Sequence, residues 1–152
     1  MRLSSAAFDE GGMLPPRFTC DGDGVSPPLA WVDVPDGTQG FALLCEDPDA
    51  PSGTFTHWLL YNLSAGSREL AEGVPKDAVL PTGARQGTNS FGDLGYGGAC
   101  PPRADREHRY IFKLYALDTD LALAPGARRE QLLHALRDHV LAEAQLIGKY
   151  KR

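Results

Sequence analysis

The sequence has no long hydrophobic run. No apolar stretch approaches the roughly 20 residues that a membrane-spanning helix needs, which argues against a helical membrane protein. The first twelve residues hold one basic residue and no apolar core, so they do not read as a secretory signal. A basic surplus is also missing: 15 Lys and Arg face 20 Asp and Glu, a formal charge of −5. A general nucleic-acid binder needs a cationic face, and this balance argues against one, while leaving room for a small basic pocket. Cysteine is scarce. Cys20, Cys45 and Cys100 match no zinc spacing, and their odd count fits a reducing compartment. We therefore expect a cytoplasmic protein with free thiols and Cys45 in the core. Cys20 and Cys100 lie in loops rich in Gly and Pro that can meet in space, so their pairing stays open. There is no internal repeat, linker or low-complexity tract, and residues 1–152 read as a single domain with a sizeable core.

What is abundant is punctuation. Seventeen Gly and 12 Pro favour a loop-rich, mainly β architecture over a helical bundle. Strands are expected at 3–8, 29–34, 41–45, 55–63 and 108–117. Another should close the chain through Ala142, Ala144, Leu146, Gly148 and Tyr150. Residues 66–84 read as a surface connection with one short strand. One helix is expected at 128–140, because Leu132, Leu133, Leu136 and Val140 recur at helical spacing behind Pro125-Gly126. The two-residue period of a strand puts Phe55, His57, Leu59, Tyr61 and Leu63 on one face. In 108–117 it does the same for His108, Tyr110, Phe112, Leu114 and Ala116. Each strand thus has a histidine near its entry and continues with aromatic and aliphatic residues. Trp31 and Trp58 are expected in the core.

The chain is organised around Cys45 to Leu63. Asp47 and Asp49 lie on a turn stiffened by Pro48 and Pro51, just ahead of His57. Residues 84–102 carry five glycines, at 87, 92, 95, 97 and 98. Glycines let backbone approach a ligand and aim N–H groups at an anion. No Lys-Ser/Thr follows, so this is not a nucleotide P-loop. Asp21 and Asp23, in the loop 15–29, fail the calcium-loop spacing.

Three separated motifs then stand together: Asp47-Pro48-Asp49-Ala50-Pro51 with His57, Gly97-Gly98-Ala99-Cys100-Pro101-Pro102, and His108-Arg109-Tyr110. In this order they resemble the phosphatidylethanolamine-binding protein (PEBP) family, in particular its short bacterial and archaeal Raf-kinase-inhibitor-like branch. The resemblance runs over nearly the whole chain. It implies an antiparallel β-sandwich with Greek-key connections and a few peripheral helices. It also implies a small pocket for phosphate, sulfate, acetate or a phospholipid head group. Carried over, the pocket residues are Asp47, His57, Pro102, His108 and Tyr110, with Asp49 close by and the rim formed by Gly98, Pro101 and the glycine-rich loop. Eukaryotic members add a C-terminal helix beside the pocket. No equivalent follows Tyr150 here, so their kinase-scaffold roles are not implied.

The leading reading is a non-enzymatic, regulatory binding protein with no cofactor and no metal. Its partner is a small anion or head group, with room for a kinase or protease partner and for a homodimer. In this reading His57 and His108 supply charge and N–H donors, Tyr110 a hydroxyl, and Asp47 orients His57 or holds a protonated state without touching the anion. The main alternative is a protease or kinase inhibitor acting through a surface loop. A hydrolase using Ser52 or Ser90 with His57 and Asp47 has the residue types but no Gly-x-Ser-x-Gly elbow. A metal site of Asp47, Asp49 and His57 has plausible ligands but no spacing that makes them converge.

Overall fold

The computed structural model describes residues 1–152. Two antiparallel sheets face each other. The smaller has the order β1 (Arg2–Ser4), β2 (Leu29–Val32), β5 (Glu69–Leu70). The larger contains β3 (Gly40–Asp47), β4 (Phe55–Ser64), β6 (Arg85–Gln86), β7 (His108–Leu117) and β8 (Val140–Tyr150). Its order is β6-β4-β3-β7-β8. The chain leaves β4, visits the small sheet as β5 and comes back as β6. It then crosses over so that β7 pairs with the free side of β3. Strands β7-β3-β4-β6 therefore form a Greek key. The mainly β, antiparallel expectation holds.

The large sheet is covered on both faces, so its middle strand, β3, is buried at all eight positions. Phe41, Leu43 and Cys45 point toward the small sheet, where they join Leu29, Trp31, Phe112 and Leu114. Ala42 and Leu44 point the other way, under α1 (Arg129–Leu136) with Tyr115, Leu132 and Leu136. A near-continuous apolar run is what a strand covered on both sides requires. Trp31 and Trp58 are core residues, as expected. The indole of Trp58 donates to Gln86 Oε1 (2.9 Å), and the Gln86 amide donates to the carbonyls of Pro75 and Asp77. This fully buried polar side chain is thus satisfied, and it ties β4 to the loop before β6.

The period-two reading is correct for β7 and fails for β4. Cys45 pairs with Trp58 but Glu46 pairs with Thr56, so His57 is an extra residue, a β-bulge. A second shift between Phe41 and Leu43 accommodates Asn62, whose φ is +56°. Trp58, Leu60 and Leu63 therefore face the small sheet, whereas Leu59 and Tyr61 face α1. The helix is shorter than its spacing suggests. Asp138 takes a left-handed φ of +68°, and Val140 already belongs to β8, which pairs along the whole of β7. Sheet pairing has overridden local periodicity there.

The free-thiol expectation is corrected for two of the three cysteines. Thr19 bridges Ala99, the Cys20 N–H donates to the Ala99 carbonyl (3.0 Å), and Cys20 and Cys100 form a disulfide with a Cα–Cα distance of 5.3 Å. Glycine at position 98 makes this approach possible, because a Cβ there would lie 3.1 Å from the Thr19 carbonyl carbon. Cys45 is free and buried. A disulfide suits an oxidising compartment, so the cysteines no longer support a cytoplasmic location. No helix is long and apolar enough to cross a membrane.

Candidate functional site

The ends of three neighbouring strands converge at one edge of the large sheet: the last residue of β3, the first residues of β4 and the first residues of β7. They open a cavity of about 240 Å³. Asp47, His57, His108 and Tyr110 line it, with Phe55, Phe91, Pro101 and Pro102 as apolar walls. Six of the eight residues expected at the site therefore meet.

The other two do not line the cavity. Asp49 turns outward and clasps Arg109: one carboxylate oxygen takes the Arg109 N–H and Nε, the other takes Nη2, all within 3.0 Å. That pairing holds the Asp49 carboxyl below its ordinary range. Asp49 belongs to the site only through its N–H, which donates to Asp47 Oδ1 (2.7 Å) and closes the turn. Gly98 packs against the backbone of Thr19 and Cys20 instead of the cavity. Its neighbour Gly97 does border the site, since a Cβ there would strike the ring of Phe91 at 2.5 Å.

The two histidines have different partners from those expected. Asp47 does not orient His57. Its Oδ2 meets His108 Nδ1 at 2.6 Å, and His108 Nε2 meets Asp105 Oδ2 at 2.9 Å. Burial works against charge on His108, but the two carboxylates outweigh it and raise its pKa. His108 is thus an imidazolium with both N–H groups already used, so it has no donor left for a ligand. His57 Nδ1 lies 2.7 Å from the Gly97 carbonyl. A carbonyl only accepts, so Nδ1 carries the proton, and Nε2 has no protein partner. Burial lowers the His57 pKa, only partly offset by the Gly97 carbonyl and the charge of Asp47. Near neutral pH, His57 therefore presents a lone pair to the cavity. Burial and the negative charge of Asp47 raise the pKa of Tyr110, so its hydroxyl stays protonated. No Lys or Arg lines the cavity.

This geometry also bears on the other chemistries. The Ser-His-Asp arrangement is not formed: Asp47 is on the wrong histidine, and the Ser90 hydroxyl accepts the Thr56 N–H on the other side of β4. Asp47, Asp49 and His57 do not converge as a metal triad, because Asp49 is held by Arg109. Asp105 is a site residue that sequence reading missed. Its position three residues before His108 was the available signal.

The family model for phosphatidylethanolamine-binding proteins matches residues 4–151. The chain belongs to this family. A UPF0098 protein of Methanothermobacter thermautotrophicus is 51% identical over all of this chain and 99% of its own length. E. coli YbcL, a member of the mammalian PEBP family, superposes with a TM-score of 0.93 at 34% identity, covering 99% of this chain and 98% of that one. A PEBP homologue from Chlamydia trachomatis gives a TM-score of 0.90 at 42% identity, covering 99% and 97%. These PEBP structures share the antiparallel architecture described above.

Proposed function

We propose that this PEBP-family chain is a binding protein, not an enzyme, and that its cavity takes the oxyanion of a small phosphate-class ligand or a phospholipid head group. One observation carries the reading: a buried histidine, fixed through Nδ1 by the Gly97 carbonyl, leaves Nε2 without a protein partner in the cavity. Protonation turns that lone pair into a charged N–H donor. Tyr110 and Ser52 bring hydroxyls to the same cavity.

Because His108 is already charged and enclosed, a single proton accompanies binding, and it goes to His57. The sign follows from linkage. An anion favours the imidazolium, so the complex has the higher His57 pKa, and binding takes up a proton. Affinity rises as pH falls through the His57 pKa of the complex, and levels off only once free His57 is protonated too. Sulfate is the suitable probe because it does not titrate near neutrality. Calorimetry at several pH values should show this rise. His57→Ala should remove a charge-assisted hydrogen bond worth about 1.5–3 kcal/mol, a loss of roughly ten- to a hundredfold. Affinity that is flat with pH, or intact in His57→Ala, would sink the reading.

A further inference from the structure

A second hollow, of about 230 Å³, lies on the α1 face of β4, and no hydrophobic residue lines it. Its walls include Thr56 of β4, Thr88 and Ser90 from the loop after β6, and Arg128 and Arg129 at the start of α1. Since His57 is the bulged residue, Thr56 stays in register with Glu46 and shares its face. Thr56 is only 4% exposed, and its hydroxyl has no hydrogen-bond partner in the protein. The sealed side-chain polar atoms without partners are Trp31 Nε1 and Arg152 Nε. The Thr56 hydroxyl is not among them, so it reaches open space, and the space it borders is this hollow. With no protein partner, this hydroxyl is available to hydrogen-bond a ligand in the hollow.

The Thr88 hydroxyl is spent on the Gly126 carbonyl (2.9 Å), and the free donors come from Ser90, the two arginines and the start of α1. Ser90 Oγ accepts the Thr56 N–H at 2.8 Å, which leaves its own proton free. Arg129 spends Nε on Glu46 at 2.7 Å and keeps its other N–H groups. Arg128 is exposed. The first-turn amides of α1 lack intrahelical acceptors and carry the positive end of the helix dipole. Glu46 is shared between Lys113 and Arg129, and with Arg128 and Glu130 added the cluster keeps one surplus positive charge.

We propose that this hollow is a second binding site, for a tetrahedral oxyanion of the phosphate class. Thr56 and Ser90 contact it through hydroxyls, Arg128 through its guanidinium, and α1 through its first amides. Glu130 shares the walls and opposes the anion, which gives a substitution of predictable sign. The site is independent of the cavity at His57, although both are built on β4 and on the adjacent residues Ser90 and Phe91.

The experiment is a titration of the isotope-labelled full chain, read by amide NMR, with inorganic phosphate and separately with glycerol 3-phosphate. Saturable shifts are expected at Thr56, Ser90 and residues 128–131. The probe that binds tighter identifies the free ion or the monoester as the better ligand, and either supports the site. Arg128→Glu should weaken these shifts by about tenfold or more. Thr56→Val, which keeps the β-branched shape, should also weaken them, and Glu130→Gln should tighten them. Arg128 is exposed, so its variant carries the test even if Thr56→Val folds poorly. No saturable shift at these amides, or shifts unchanged in Arg128→Glu, would overturn the proposal. Shifts confined to His57 and Gly97 would overturn it while leaving the first site intact, and the reverse pattern would do the opposite.

Discussion

His57 and His108 are a natural experiment within one molecule. Each stands at the start of a strand that flanks β3, each lines the same cavity, and they are 4% and 3% exposed. Their chemistry is nonetheless opposite. His108 enters in register, on an unbroken period-two strand, where its ring lies between Asp47 and Asp105. His57 enters on a bulge and meets one backbone carbonyl. The pKa is raised in His108, where two carboxylates outweigh burial, and lowered in His57, where one carbonyl and a more distant charge do not. The partners decide, because burial alone pushes both histidines toward the neutral form. One histidine is structural charge. The other keeps Nε2 without a protein partner.

The sharpest way to break this comparison is to remove each ring in turn. His108→Ala leaves Asp47 buried without its cation, and breaking a buried pair from one side costs about 3–5 kcal/mol. His57→Ala leaves only the Gly97 carbonyl without its donor, beside a cavity that water can enter, and should cost about 1 kcal/mol. Denaturant titration of both variants checks this. Equal losses would mean that the Asp47–His108–Asp105 network holds no more of the fold than the His57 contact does.

This contrast also marks where sequence reading succeeds and where it stops. β7 was legible because its alternation is unbroken, with His108, Tyr110, Phe112, Leu114 and Ala116 buried while Arg109, Ile111 and Lys113 on the other face are not, and the residues facing the cavity followed from it. The convergence of Asp47, His57 and Tyr110 came from the motifs and the family resemblance. The bulge at His57 was not legible, since a single extra residue leaves a plausible alternation on paper. The allocation of Asp47 was lost with it: only the strand order β4-β3-β7 shows that β3 lies between the two histidines, and only the bulge turns His57 toward Gly97. Asp49 lies beside the site, but the use of its carboxylate was not legible, because Arg109, on the opposite face of β7 from His108, offers it a bidentate partner. The Cys20–Cys100 bond depended on the parallel bridge of Thr19 to Ala99, a contact across 80 residues that spacing cannot report.

A smaller effect sharpens the comparison through pH. The His57 pKa is lowered on folding, so between its folded value and ~6.5 the unfolded chain binds a proton that the native one does not. Stability therefore falls through His57 as the pH drops across that window. The His108 pKa is raised, so its contribution is complete below ~6.5 and is lost as pH climbs through the folded value. The two slopes oppose each other near pH 6.5. His57→Ala should therefore improve relative to the parent on acidification. NMR titration of the imidazole carbons should place the His57 midpoint below that of His108, and the reverse order would cancel the assignment of roles.

The smallest expected effect isolates the remaining side chain. Tyr110 sits across β3 from His57, with ring centroids 5.2 Å apart, and keeps its proton throughout the accessible range. Tyr110→Phe removes one neutral donor and little volume. Its cost to sulfate affinity should be about 0.5–1.5 kcal/mol, below that of His57→Ala. The two losses should also differ in form. A hydroxyl that does not titrate contributes equally at every pH, so Tyr110→Phe should lower the whole affinity curve without changing its slope. His57→Ala should flatten the curve, because it removes the group that takes up the proton. Calorimetry over the same pH series distinguishes a displaced curve from a flattened one. A flattened curve in Tyr110→Phe would show that the hydroxyl and the imidazole titrate as one unit, and the division of labour between them would have to be abandoned.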